Sequence, residues 1–152
     1  MKIIEFFEID NQDYWLEQIC KSDWSAGQYL YELLSEGTFR TLCGENARVY
    51  LLTEGDELIS FCTLAEKDDI RDTELTPWIG FAYTFPKYRG HRYVGMLLKE
   101  AFHQAALDGA EHIYISTGET GLYEKYGYEF FTMMKDMRGE DSRVYRKAVA
   151  DR

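Results

Sequence analysis

Lys87, Arg89, His91, Arg92 and Lys99 belong to a stretch, Leu75 to Lys99, that contains no carboxylate at all. The chain around it has 27 Asp and Glu residues and a net charge of -10. The segment FPKYRGHRYVGMLLKEAF sets most of these cations in a loop that leads into a predicted helix. A helix start presents unpaired N–H groups and the positive end of the backbone dipole. With Arg adding its fork of donors, such a loop suits a polyanion, and a pyrophosphate is a natural occupant. Gly90 and Gly95 would let a ligand approach the backbone closely. The same residues would also form a solvated basic loop with no ligand, and this feature alone does not choose.

Other chemistries find less support. His91, His103 and His112 have no metal-ligand spacing, and no Ser-His-Asp set or Walker pattern of glycines and lysine is present. Cys20, Cys43 and Cys62 lie far apart and read as reduced thiols, so a cytoplasmic protein is expected. The acidic balance argues against nucleic acid as a partner, because phosphate backbones recruit basic faces. No apolar run approaches the roughly 18 residues of a membrane span, and the start MKIIEFFEIDNQ has no signal-peptide pattern.

The elements that must position the loop can be read from periodicity. KIIEFFEI is a predicted first strand, and Trp15, Leu16 and Ile19 recur at helical spacing between Asp13 and Cys20, with Asp10 or Asn11 available as a cap. A second helix runs from about Ser25 to Glu36 and stops at Gly37. RVYLLT and ELISFCTLAE flank EGD as a hairpin. After the acidic loop KDDIRDTELT, PWIGFAYTF is a buried strand with Pro77 at its entry. The helix after the basic loop buries Val94, Leu97, Leu98, Ala101, Phe102 and Ala105 and ends near Asp108. HIYIS is a strand, GLYEKYG a short helix, and YEFFTMM with SRVYRKAV a final hairpin. The order β-α-α-β-β-β-α-β-α-β-β predicts one α/β domain over 1–152 with a mixed sheet.

At this point two motifs carry a family resemblance. PKYRGHRYVGMLL resembles motif A of the GNAT family of N-acetyltransferases, R/Q-x-x-G-x-G/A, matched from Arg89 through Val94 with Leu97 and Leu98 following. GLYEKYGYEF resembles the family's motif B region. The two stand in the family's order, separated by a helix and a strand. Arg92 replaces the first motif glycine, Val94 stands where Gly or Ala is usual, and Gly95 comes one place late.

The resemblance implies a GNAT fold and direct transfer of an acetyl group from acetyl-CoA, as co-substrate and without a metal, to an amine of a small molecule or peptide. It implies that Tyr83, Thr84 and Phe85 line the pantetheine arm through their main chains. Arg89, Gly90, His91, Arg92, Tyr93, Val94 and Gly95 would then hold the pyrophosphate. Tyr123 falls where the family often has the acid that protonates the departing thiolate. The strand position at which many members carry a catalytic Glu is Trp78 here. Of the carboxylates in the loop before it, Asp68, Asp69, Asp72 and Glu74, the first choice as base is Glu74. Trp24, Tyr29, Asp69 and Trp78, with Tyr31 and Asp68 nearby, would form an acceptor pocket suited to a cationic amine. The resemblance also leaves open a monomer or a homodimer paired through the last hairpin. The changed motif positions and the missing strand carboxylate fit an alternative, a catalytically silent acyl-CoA sensor.

Overall fold

The computed structural model describes residues 1–149. Seven strands form one sheet in the order β1-β2-β3-β4-β5-β7-β6. They are β1 (Lys2–Glu5), β2 (Arg48–Glu54), β3 (Glu57–Ala65), β4 (Trp78–Thr84), β5 (His112–Thr117), β6 (Glu129–Lys135) and β7 (Asp141–Ala148). The helices are α1 (Gln12–Cys20), α2 (Ser25–Ser35), α3 (Phe39–Cys43) and α4 (Tyr93–Leu107). This is the mixed α/β architecture expected. Residues 150–152 of the predicted single domain lie outside the described residues.

β2 and β3 turn over Gly55 and Asp56, and Gly55 takes the positive φ of 62° that a two-residue hairpin turn needs. Alternation then divides their side chains between two layers. Tyr50, Leu52, Ile59 and Leu64 meet α4, whereas Val49, Leu51, Leu58 and Phe61 meet α1 and α2. Both faces of β3 are covered, so Leu58 to Ala65 are all buried. The stripe of α4 buries Leu97, Leu98, Ala101 and Ala105, each such Leu stabilising the fold by about 1.5–3 kcal/mol relative to exposure. α4 is the crossover between β4 and β5, which pair in parallel.

Three local features depart from the sequence reading. The first strand ends at Glu5, because Phe6–Glu8 form a 3-10 turn that drives Phe6 into the core. α3 is an extra helix, built from a stretch too short to show periodicity; Phe39 and Cys43 anchor it. GLYEKYG folds as a 3-10 turn over Tyr123–Tyr126 and ends, as expected, at Gly127 with φ of 90°. Among the described residues no helix is long and apolar enough to cross a membrane.

Candidate active site

Two irregularities of β4 create the site. Between Phe61↔Tyr83 and Thr63↔Gly80 the strand carries one residue more than β3, and Phe81 at this bulge has a φ of 51°. The extra residue shifts the alternation: Ile79 and Ala82 meet the α4 layer, while Phe81 and Tyr83 meet the α1/α2 layer. On its other edge β4 pairs with β5 only at Trp78↔Tyr114 and Ile79↔Ile115. From Gly80 onward the two parallel strands separate, and main-chain donors and acceptors of β4 lose their β5 partner.

A cleft of about 840 Å³ opens at the point of separation. Ile79 to Ala82 form its floor on β4, Ile115 to Thr117 face them from β5, and Tyr123 stands at one wall. Trp24 and Tyr29 close the α2 side, and the tip of the β6–β7 hairpin, with Asp136 and Arg138, closes the other. Six carboxylates line it, Asp68, Asp69, Glu119, Asp136, Glu140 and Asp141, against two cations, Arg71 and Arg138. The potential in the cleft therefore favours a cation.

The loop between β3 and β4 carries the two innermost acids. Arg71 donates to the carbonyl oxygens of Leu42 (2.8 Å) and Asp68 (3.3 Å), which ties this loop to α3. Asp68 lies against the β4 backbone: a methyl group placed on Gly80 would sit 2.0 Å from its Oδ1. Burial pushes the Asp68 carboxyl up to about 7, with Asp69 adding to the rise and the Asp69 N–H and Arg71 opposing it. Asp69 accepts from Ser116 Oγ at 3.3 Å and is also raised, by burial and then by Asp136. Burial raises the Tyr123 phenol further above its ordinary value, so it keeps its proton at neutral pH.

Trp24 is held flat on Tyr83, with ring centroids 5.4 Å apart and planes 8° from parallel. Tyr83 in turn donates to Asp23 Oδ1 at 2.5 Å, which fixes the start of α2 to β4. The Tyr83 side chain is thus structural, as is that of Phe85, packed edge-on to it at 5.1 Å. Thr84 Oγ1 hydrogen-bonds Ser60 Oγ at 2.9 Å. Any contact these three make with a ligand belongs to their main chains.

The basic loop follows around the end of β4. Lys87 is paired with Glu57 at 3.0 Å, and Arg89 Nε donates to the Thr84 carbonyl at 2.8 Å. His91 and Arg92 are exposed. Arg92 caps α4 with φ of 58° and ψ of 31°, the left-handed conformation that glycine adopts most readily, and no acid occupies the first turn of the helix. Gly90 has φ of 91° and open space beside it. Gly95 serves packing instead: a methyl group there would meet the Tyr126 ring at 2.7 Å. The N–H groups of Tyr93 and Val94 open the helix. A strand edge freed of its partner, continuing into a carboxylate-free helix start, suits a long thioester carrier with a pyrophosphate.

Of the predicted acceptor residues, the cleft brings together Trp24, Tyr29 and Asp69. Trp78 is fully buried, packs at 5.4 Å on Tyr114, and donates from Nε1 to the Leu75 carbonyl at 2.7 Å, so it does not reach the cleft. Glu74 is exposed and does not line the cleft, whereas Asp68 does. Gly80, Phe81, Ala82, Ser116 and the hairpin tip were not singled out from sequence. A glycine inside a strand is the one signal that pointed there, because it marks a bulge or a close approach.

The family model described as acetyltransferase (GNAT) family matches residues 9–128. No curated protein matches the chain. Among solved structures, the chain is similar to an aminoglycoside 6'-acetyltransferase type Ii at 17% identity, a TM-score of 0.74, and coverage of 100% of this chain and 99% of that one. It is similar to the aminoglycoside 6'-N-acetyltransferase from Enterococcus faecium at 16% identity, TM-score 0.71, covering 100% and 99%. A GNAT family acetyltransferase from Elizabethkingia anophelis with acetyl-CoA bound shares 17% identity at a TM-score of 0.66, covering 97% of each chain. At these identities the likenesses show the shared fold.

Proposed function

The chain belongs to the GNAT family of acetyltransferases, and from that premise we propose that it moves an acetyl group from acetyl-CoA to a primary amine on a cationic small molecule. One observation carries the proposal: β4 leaves β5 beyond Ile79, and the cleft opened there is lined by six carboxylates and two arginines beside a protonated Tyr123. Acidic side chains attract an ammonium-bearing acceptor and hold it against the strand. The aminoglycoside acetyltransferases among the structural neighbours support an acceptor with several amino groups.

Acetyl-CoA, when bound, supplies an activated acyl thioester. The freed edge of β4 from Gly80 to Thr84 would take the pantetheine arm, and the N–H groups at the start of α4, with Arg92 and His91, would take the pyrophosphate. A main-chain N–H at the Phe81 bulge would stabilise negative charge on the thioester carbonyl oxygen, the role in which fixed donors matter most. Tyr123 gives its phenolic proton to the departing sulfur.

The test is thiol release from acetyl-CoA with a panel of amines: an aminoglycoside, a linear polyamine, free amino acids and a short peptide. Turnover with the polycations and much less with zwitterionic amino acids is expected. Binding of acetyl-CoA without turnover on any amine would replace this reading by that of an acyl-CoA sensor.

A further inference from the structure

We propose that Asp68 is the catalytic base that removes the proton from the acceptor's ammonium group, a role that rests on the acetyltransferase reading above. The family's usual strand position is closed to this task, because Trp78 is buried among Ile70, Tyr114 and Val144. Asp68 reaches the equivalent region from outside the strand. It can do so because β4 has no side chain at Gly80: a methyl group there would lie 2.0 Å from Oδ1 and 2.5 Å from Cγ. The carboxyl therefore rests on the strand one residue beyond Ile79, where pairing with β5 has just ended. Asp68 and Tyr123 line the same cleft, so a base and an acid flank the freed strand edge.

The charged and titratable groups around Asp68 are Asp69 and Arg71 from its own loop, Cys43 from α3, and Tyr123 from the turn after β5. Burial pushes the Cys43 thiol up to about 12 and raises the Tyr123 phenol, so both remain neutral through the physiological range. Asp69 keeps a neighbouring negative charge when ionised, which disfavours a second one on Asp68. The outcome is a carboxylate poised near 7, the range in which a general base both exists ionised and accepts protons.

The protons balance. Asp68 accepts one proton from the ammonium and frees the nitrogen lone pair, the C–N bond forms, and the C–S bond breaks. Tyr123 donates its proton to sulfur and regains one from the acylated nitrogen. The proton on Asp68 leaves to solvent through the cleft, so the products are amide, thiol and one released proton.

Asp68→Asn keeps the shape and removes the base. We expect kcat/KM at pH 7 to fall about 10²-fold, with acetyl-CoA affinity by calorimetry unchanged. The wild-type pH profile should show an acidic limb with an apparent pKa near 7 that the variant lacks. A fluorinated amine that is already neutral at the assay pH should show little loss, and Asp68→Glu should restore part of the rate. A wild-type profile without that limb, or an equal loss on basic and fluorinated amines, would overturn the assignment, whether or not the Asn variant folds. Absence of wild-type turnover on every amine would instead remove the acetyltransferase reading and this inference with it.

Discussion

The proposed reaction asks two things of Tyr123, to stay protonated at neutral pH and to release that proton at one moment. Burial against Cys62 and near Glu119 and Asp68 secures the first, since each disfavours the phenolate. For the second, the retained phenol points its O–H at the sulfur as negative charge develops there, and this hydrogen bond eases C–S cleavage although the thiolate is less basic than the phenolate. Tyr123→Phe keeps the ring in the α4-side core and deletes only the hydroxyl. We predict a fall in kcat of about 10²-fold with the dissociation constant for acetyl-CoA unchanged, read by thiol release and calorimetry. A loss confined to KM would assign the hydroxyl to binding. Tyr123 could be singled out as a candidate from the sequence because its motif is local, a turn closed by Gly127. Asp68 was visible only as one of four acids in a loop. What singles it out is contact with Gly80, a relation between a loop and a strand that spacing does not express. Trp78, expected as an acceptor residue, lies outside the cleft for the converse reason: an aromatic at a motif position does not announce which face of the sheet it occupies, and its indole is tied inward to Leu75.

At the scale of elements, the site is a failure of pairing made permanent. An ordinary β4 would continue along β5, and its alternation would keep Ile79 and Phe81 on one face. The bulge inserts a residue, changes the face, and lets the strand turn away from β5. The pattern of PWIGFAYTF predicted the strand, since apolar content survives a bulge, but not the bulge, since a run apolar on both faces has no phase to break. Helices α2 and α4 were readable to within a residue or two, each with a glycine beyond its end, Gly37 and Gly109, at φ of 73° and 85°. α3 was not, because five residues give little more than one turn of pattern. Gly80→Ala tests how tightly element and loop are matched. The new methyl group would displace the Asp68 carboxyl from the strand, and an ångström of misplacement at a reacting group costs about 10²-fold in rate. We predict such a loss in kcat/KM, and a calorimetric titration with acetyl-CoA separates displacement of Asp68 from disturbance of the β4 edge proposed to take the pantetheine arm. Wild-type rates in this variant would show that the close approach has no catalytic meaning.

For the whole molecule, a half-buried carboxyl in an acid-lined cleft is a burden on folding, and its sign can be read from pH. In the unfolded chain Asp68 titrates near its ordinary value of 3.8, and in the fold near 7. Below about pH 4 both states hold the proton and nothing is lost. Between the two values the unfolded chain has released the proton while the fold retains it, so stability declines as pH rises. Above about 7 both are ionised and the penalty stays at its full size. Asparagine has no such titration, so Asp68→Asn should match the wild type near pH 4, gain on it through pH 5 and 6, and hold a constant advantage above pH 7. Solvent reaching the carboxyl through the open cleft limits that advantage to on the order of 2 kcal/mol, or roughly 4–8 °C in Tm for a chain of this size. The other carboxylates are common to both proteins, so the difference between two melting curves isolates this one group. Thermal melts at pH 4, 6 and 8 decide it: a gain that grows with pH shows that the fold raises the Asp68 pKa at a cost to stability, as the proposed base requires, whereas an equal shift at every pH would show that Asp68 titrates alike in both states.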